Sequence, residues 1–240
     1  MRTTRTLIVT AFLILCMATA ASAENAVLAS GAGYKKMVNA LNAAYMKSSS
    51  QTVDLLFGNM ARVTTLAKKS GNVDIVLGDA AFLKKAQLAM AEKQELGHGK
   101  LVLAFAKNRS YSSVADLDKA GRIALPDTQK AIYGKAAREF LESNGKLPGI
   151  KPRLLEVSTI PQVFSYLTTN EVDMGFLNLT HALNVADKLG GYVVIDQKGY
   201  SPIVILAALL KDSRHTEQAK DFLRFLETPE AQTILRENGL

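Results

Sequence analysis

The chain has 240 residues, with 29 Lys and Arg against 22 Asp and Glu for a net charge of +7, one Cys, no Trp and 7% aromatic residues. At 48% hydrophobic and 21% charged it excludes a disordered chain and a multi-span membrane protein, and one Cys excludes an internal disulfide or a Cys-based zinc cluster. The basic surplus fits nucleic acid, an anionic surface or an anionic ligand, and the length fits one large domain or two lobes of about 100 residues each.

Arg2 and Arg5 form a short positive head, Leu7 to Ala20 an apolar run, and Ala21-Ser22-Ala23 a small-x-small ending before Glu24. An apolar run of about 14 residues reaches only about 21 Å as a helix, short of the roughly 30 Å hydrocarbon core. Residues 1–23 therefore read as a secretory signal peptide cleaved after Ala23. Leu15 before Cys16, with the apolar run continuing past it, argues against lipidation. Cleavage removes two positive charges and the only Cys, and the remainder reads as a soluble exported protein. Such a chain, lacking an aromatic-basic stripe or a sustained Lys/Arg run, is not expected to bind nucleic acid.

Ala26 to Ala29 predicts a first strand, followed by a helix over 33–46 with Met37, Ala40, Leu41, Ala44 and Tyr45 at helical spacing. A strand over 53–57, a helix over 61–70 closed by Gly71, and a strand over 73–77 complete β-α-β-α-β. That alternation predicts a parallel sheet with right-handed crossovers. After Gly97-His98-Gly99 comes an apolar strand over 101–106.

A second unit repeats the pattern. Ser113 and Asp116 make a capping box; a strand at 122–125 and a helix at 131–144 stopped by Gly145 follow. Then come strand 151–157, helix 161–169, strand 172–177, helix 180–189 ended by Gly190-Gly191, and strand 192–195. Ile203 to Leu210 reads as a buried strand, 217–227 as an amphipathic helix, and Thr228-Pro229-Glu230 opens a last helix. With no flexible linker, the strands 101–106 and 203–210 are the natural crossings between two lobes, 24–104 plus 204–240 and 105–203. A ligand in such sheets sits beyond the carboxyl ends of strands, so facing lobes define a cleft.

Four loops that follow a strand and precede a helix carry small or polar residues: 28–34 around Gly31, Ala32 and Gly33; Gly58-Asn59-Met60; 126–131 ending in Lys130 and Ala131; and 158–161 around Ile160. Helix starts offer amides without intrahelical partners and the positive end of the dipole, so four aimed at one cleft would make a charge-neutral anion site. Gly31 and Gly33 begin a dinucleotide fingerprint, but Lys36 occupies the third glycine position. His98, His181 and His215 fall in no HExxH or other metal-ligand spacing, there is no GxSxG elbow, and they read as surface or capping histidines. No cofactor and no metal held directly by the protein are expected.

LASGAGYKKM (28–37), FGNMARVTTLAKKSGNVDIVLGD (57–79), AIYGKAA (131–137), NEVDMGFLN (170–178) and the ending FLETPEAQTILRENGL, in this order, resemble the molybdate-binding periplasmic proteins of ABC importers. The resemblance implies an α/β, two-lobe type II periplasmic binding protein fold with a ligand cleft between lobes. It also implies a monomer that captures molybdate or tungstate for a membrane permease, with no enzymatic activity. The family holds its oxyanion with loop hydroxyls, backbone amides and a tyrosine hydroxyl. Carried over, the loops fall at Gly31, Ala32 and Gly33 and at Asn59 and Met60, the amides near Ala131 and Ile160, and the tyrosine at Asn178. All the hydroxyl positions are changed, and Lys130 would supply a charged donor. The alternatives are a binding protein for another small anion and an exported α/β enzyme.

Overall fold

The computed structural model describes residues 24–240; the predicted signal peptide, with Cys16, lies outside the described residues. The elements run β1 (Val27–Gly31), α1 (Lys35–Ser49), β2 (Asp54–Gly58), α2 (Met60–Lys69), β3 (Ile75–Asp79), α3 (Ala80–Lys85), β4 (Met90–Gly99), β5 (Leu101–Phe105), β6 (Ile123–Pro126), α4 (Ile132–Ser143) and α5 (Leu147–Ile150). They continue with β7 (Leu154–Val157), α6 (Ile160–Thr168), β8 (Met174–Asn178), α7 (Leu179–Asn184), β9 (Gly191–Val194), β10 (Ile203–Leu210), α8 (Thr216–Leu226) and α9 (Pro229–Glu237). Two five-stranded sheets result, ordered β2-β1-β3-β10-β4 and β7-β6-β8-β5-β9.

Each sheet is mixed rather than purely parallel. β1 pairs in parallel with β2 and β3, but β10 runs antiparallel to both β3 and β4. In the second sheet β6 is parallel to β7 and β8, while β5 is antiparallel to β8 and β9. The β-α-β alternation builds the parallel part; the antiparallel strands flank the crossings. β5 lies wholly in the second sheet, so the first crossing is at Lys100, earlier than the expected boundary at 104. The return crossing runs from Ile195 into Ile203. The Leu101 amide donates to the Tyr200 hydroxyl at 3.0 Å, tying the two crossings together.

Central strands β3, β5 and β8 are buried along their whole length. Each Leu, Ile or Phe they bury stabilises by about 1.5–3 kcal/mol. α1 turns Met37, Val38, Leu41, Ala44 and Tyr45 onto the first sheet and ends where Ser50 takes a left-handed φ of 59°. β4, where the sequence pattern predicts no strand, is an edge strand whose Glu92, Lys93 and Glu95 are exposed. Its charges suit an edge and hide the alternation expected of a strand.

Candidate functional site

The lobes meet around a cavity of ≈ 30 Å³ walled by the four predicted loops. A single water needs about 10–15 Å³ of such space, so the cavity suits one small polyatomic ion. Its first wall is Gly31, Ala32, Gly33 and Tyr34; its second Gly58, Asn59 and Met60; its third Ala131, Ile132 and Tyr133; its fourth Thr159 and Ile160. None of these side chains is charged. The first two walls come from the first lobe and the others from the second.

Local chemistry fixes each wall. Asn59 caps α2 by accepting from the Arg62 amide through Oδ1 at 3.0 Å, and its Nδ2 donates to Ser158 Oγ at 3.1 Å across the cleft. The Ala61 amide donates to the Lys130 carbonyl at 3.1 Å, again between lobes. Thr159 opens α6 with a capping box, its amide donating to Gln162 Oε1 at 3.2 Å, and Pro161 occupies the first turn. Met60 is 1% exposed; a Cβ on Gly78 would lie 2.8 Å from its sulfur, so the thioether is packed into the first lobe.

Gly31, Ala32, Gly33, Asn59, Met60, Ala131 and Ile160 all line the cavity. Lys130 does not. Its side chain is 61% exposed and its Nζ lies 3.2 Å from Asp127 Oδ2, because the Asp127 carboxylate caps the same turn through the Gln129 and Lys130 amides. Asn178 also stays outside the wall: it is fully buried and its Nδ2 donates to the Gly33 carbonyl at 3.2 Å, so it holds the first loop rather than facing the cavity. The Ala131 amide is spent on the Asp127 carbonyl at 3.0 Å, which leaves the start of α4 to be represented by Ile132 and Tyr133.

Tyr34 and Tyr133 are the residues that sequence reasoning missed. Each is buried, and their hydroxyls are 2.5 Å apart. Their only sequence signal is position, one ahead of α1 and the other in the first turn of α4. Nearby, Asp79 is 4% exposed and accepts from the Phe82 amide at 3.0 Å; burial pushes its carboxyl above the ordinary carboxylate range. His181 is pushed down to about 4 by burial and then by Lys36, so it is neutral at physiological pH. A larger hollow of ≈ 390 Å³ between α3 and α4 is lined by Lys85 and by two ion pairs, Lys135 with Glu139 and Arg138 with Glu142 at 2.7 Å.

Two lobes joined by two crossings, closed over a small neutral cavity built from helix starts, define a solute-binding protein. Residues 26–240 match the family described as bacterial extracellular solute-binding protein, and the chain belongs to that family. The molybdate-binding protein ModA of Rhodobacter capsulatus is 27% identical over 237 residues, covering 95% of this chain and 92% of that protein. Among solved structures, the periplasmic molybdate-binding protein of Azotobacter vinelandii aligns with a TM-score of 0.81 at 21% identity, over 89% of this chain and 97% of that one. The sulfate-binding protein SubI of Mycobacterium tuberculosis H37Rv aligns with a TM-score of 0.71 at 14% identity, over 90% and 86%.

Proposed function

We propose that this protein captures a tetrahedral oxyanion, molybdate or tungstate, in the periplasm and delivers it as a monomer to the membrane permease of an ABC importer. The observation that carries the reading is the convergence of four loops and helix starts from both lobes on a neutral cavity of ≈ 30 Å³. An anion taken from water into such a cavity must recover its hydration through fixed donors. Helix-start amides provide them with the favourable end of the dipole, each charge-assisted bond contributing about 1.5–3 kcal/mol. Ligand arrival favours the closed arrangement because only there do donors of both lobes reach it. The ligand named for the Rhodobacter capsulatus relative supports the same ion class.

Calorimetric titration with molybdate, tungstate, sulfate and phosphate tests the reading. Tight binding of molybdate or tungstate is expected, with a raised melting temperature; no heat and no melting shift with any of the four would overturn it. A second reading, another small anion, draws on the cavity wall itself: Ala32, Asn59 and Met60 stand where the resemblance places hydroxyl donors. Preference for sulfate or phosphate in the same titration would establish it.

A further inference from the structure

Tyr34 and Tyr133 belong to different lobes: Tyr34 precedes α1 against the first sheet, and Tyr133 lies in the first turn of α4 against the second. They are 1% and 3% exposed, with ring centroids 6.3 Å apart, and their hydroxyls form a hydrogen bond in which either oxygen can donate. A bond from lobe to lobe exists only while the lobes are shut. Burial raises both phenols well above the ordinary tyrosine range, so the pair stays neutral and always has a proton for the bond.

The hydroxyls lie against Gly99, at the end of β4 beside the hinge. A methyl group on Gly99 would overlap the Tyr133 oxygen, approach the Tyr34 oxygen to 3.1 Å and reach Ile203 Cγ2 at 3.0 Å. Gly99 ends β4, pairs with Ile203 at the start of β10 and is followed by the crossing residue Lys100. Its φ is not positive, so the backbone does not require glycine there. The space does: the two phenol heads occupy the place where a side chain would be.

We propose that Tyr34 and Tyr133 form a closure latch, a hydroxyl pair made between the lobes and against Gly99 at the hinge, which sets how long a captured ion is retained. The latch rests on the capture reading above. Both residues also line the cavity, so an ion drawn in by the helix starts brings the two first turns together, and the hydroxyl bond forms last. It therefore acts on release rather than on encounter, and both tyrosines are positioning residues.

The test compares the wild-type protein with Tyr34→Phe, Tyr133→Phe, the double variant and Gly99→Ala. Calorimetry gives affinities for molybdate and tungstate, and a filter-binding chase with radiolabelled molybdate or tungstate, whichever the wild type binds, gives release rates. Each Phe variant should release the ion about three- to tenfold faster, the worth of one neutral buried hydrogen bond, with association unchanged within about twofold. The double variant should release no faster than either single, since each single already removes the bond. Gly99→Ala keeps both phenols yet should also release faster, and an unchanged ligand-free melting temperature in the Phe variants shows that folding is intact. Unchanged release in both Phe variants, or a double effect equal to the product of the singles, overturns the latch and leaves capture standing. No heat from the wild type with either ion overturns the capture reading itself, and the latch with it.

Discussion

Gly33→Ala places one methyl group in the seam between the lobes. The new Cβ would lie 2.8 Å from Asn178 Oδ1 and 3.1 Å from Ile160 Cγ1, against about 3.5–4.0 Å for comfortable carbon contacts. Gly33 belongs to the first lobe, and both of its neighbours to the second. The overlap therefore arises only on closure. Overpacking of this kind costs about 1–3 kcal/mol, which converts to a loss of about 5- to 150-fold in affinity. The φ at Gly33 is not positive, so alanine is tolerated by the backbone. Calorimetry with molybdate and tungstate reads the affinity, and scanning calorimetry without ligand reads the fold. The expected pair of results is weaker binding with a ligand-free melting temperature within about 1 °C of wild type. A ligand-free melting point that falls as far as the liganded one would place the clash inside one lobe, and unchanged affinity would show that closure does not bring these atoms together; either result refutes the reasoning.

Ala32→Ser restores a hydroxyl to the first wall and should tighten oxyanion binding by about tenfold, the scale of one charge-assisted hydrogen bond; calorimetry against the parent measures it. Lys130→Ala should leave affinity unchanged within about twofold, because the ammonium is exposed beside Asp127 and outside the cavity; a large loss, steepened at low salt, would show that it reaches the ion. Asp74, 2% exposed, accepts from Ser213 Oγ at 2.7 Å, from the Val27, Arg214 and His215 amides, and pairs with His215 Nδ1 at 3.1 Å. Burial alone would raise its carboxyl, but the bonds from Ser213, Val27 and His215 together hold it below its ordinary 3.8. Its contribution to stability is thus fully present well above the ordinary 3.8 and is lost as pH falls through the lowered value. Asp74→Asn should destabilise by about 1–3 kcal/mol at neutral pH and flatten the acid limb of a melting-temperature profile below about pH 5.

Much of the fold is legible where burial and pattern coincide. The run Ile203 to Leu210 is apolar because β10 is buried between β3 and β4, and the strand has the predicted bounds. β4 escapes because an edge strand carries solvent-facing charges. At the site, loops after strands and before helices announce the cavity wall through small residues, which is why Gly31, Gly33 and Asn59 could be found. Side-chain direction is not written in such loops. Lys130 turns outward because Asp127 caps its turn, and Met60 turns inward because Gly78 leaves room. The Tyr34–Tyr133 pair joins residues 99 positions apart, and no local pattern encodes that meeting.

The routing of the chain also bears on assembly. The second sheet is drawn from one uninterrupted stretch, β5 to β9, whereas the first sheet lacks its fourth strand until β10 arrives between β3 and β4. During synthesis the later lobe can thus finish first, while the earlier one waits with two bare strand edges, one of them the wholly buried β3. The interval between emergence of residue 99 and residue 210 is the period of greatest exposure to misassociation, and a chaperone that holds the chain open would matter most there.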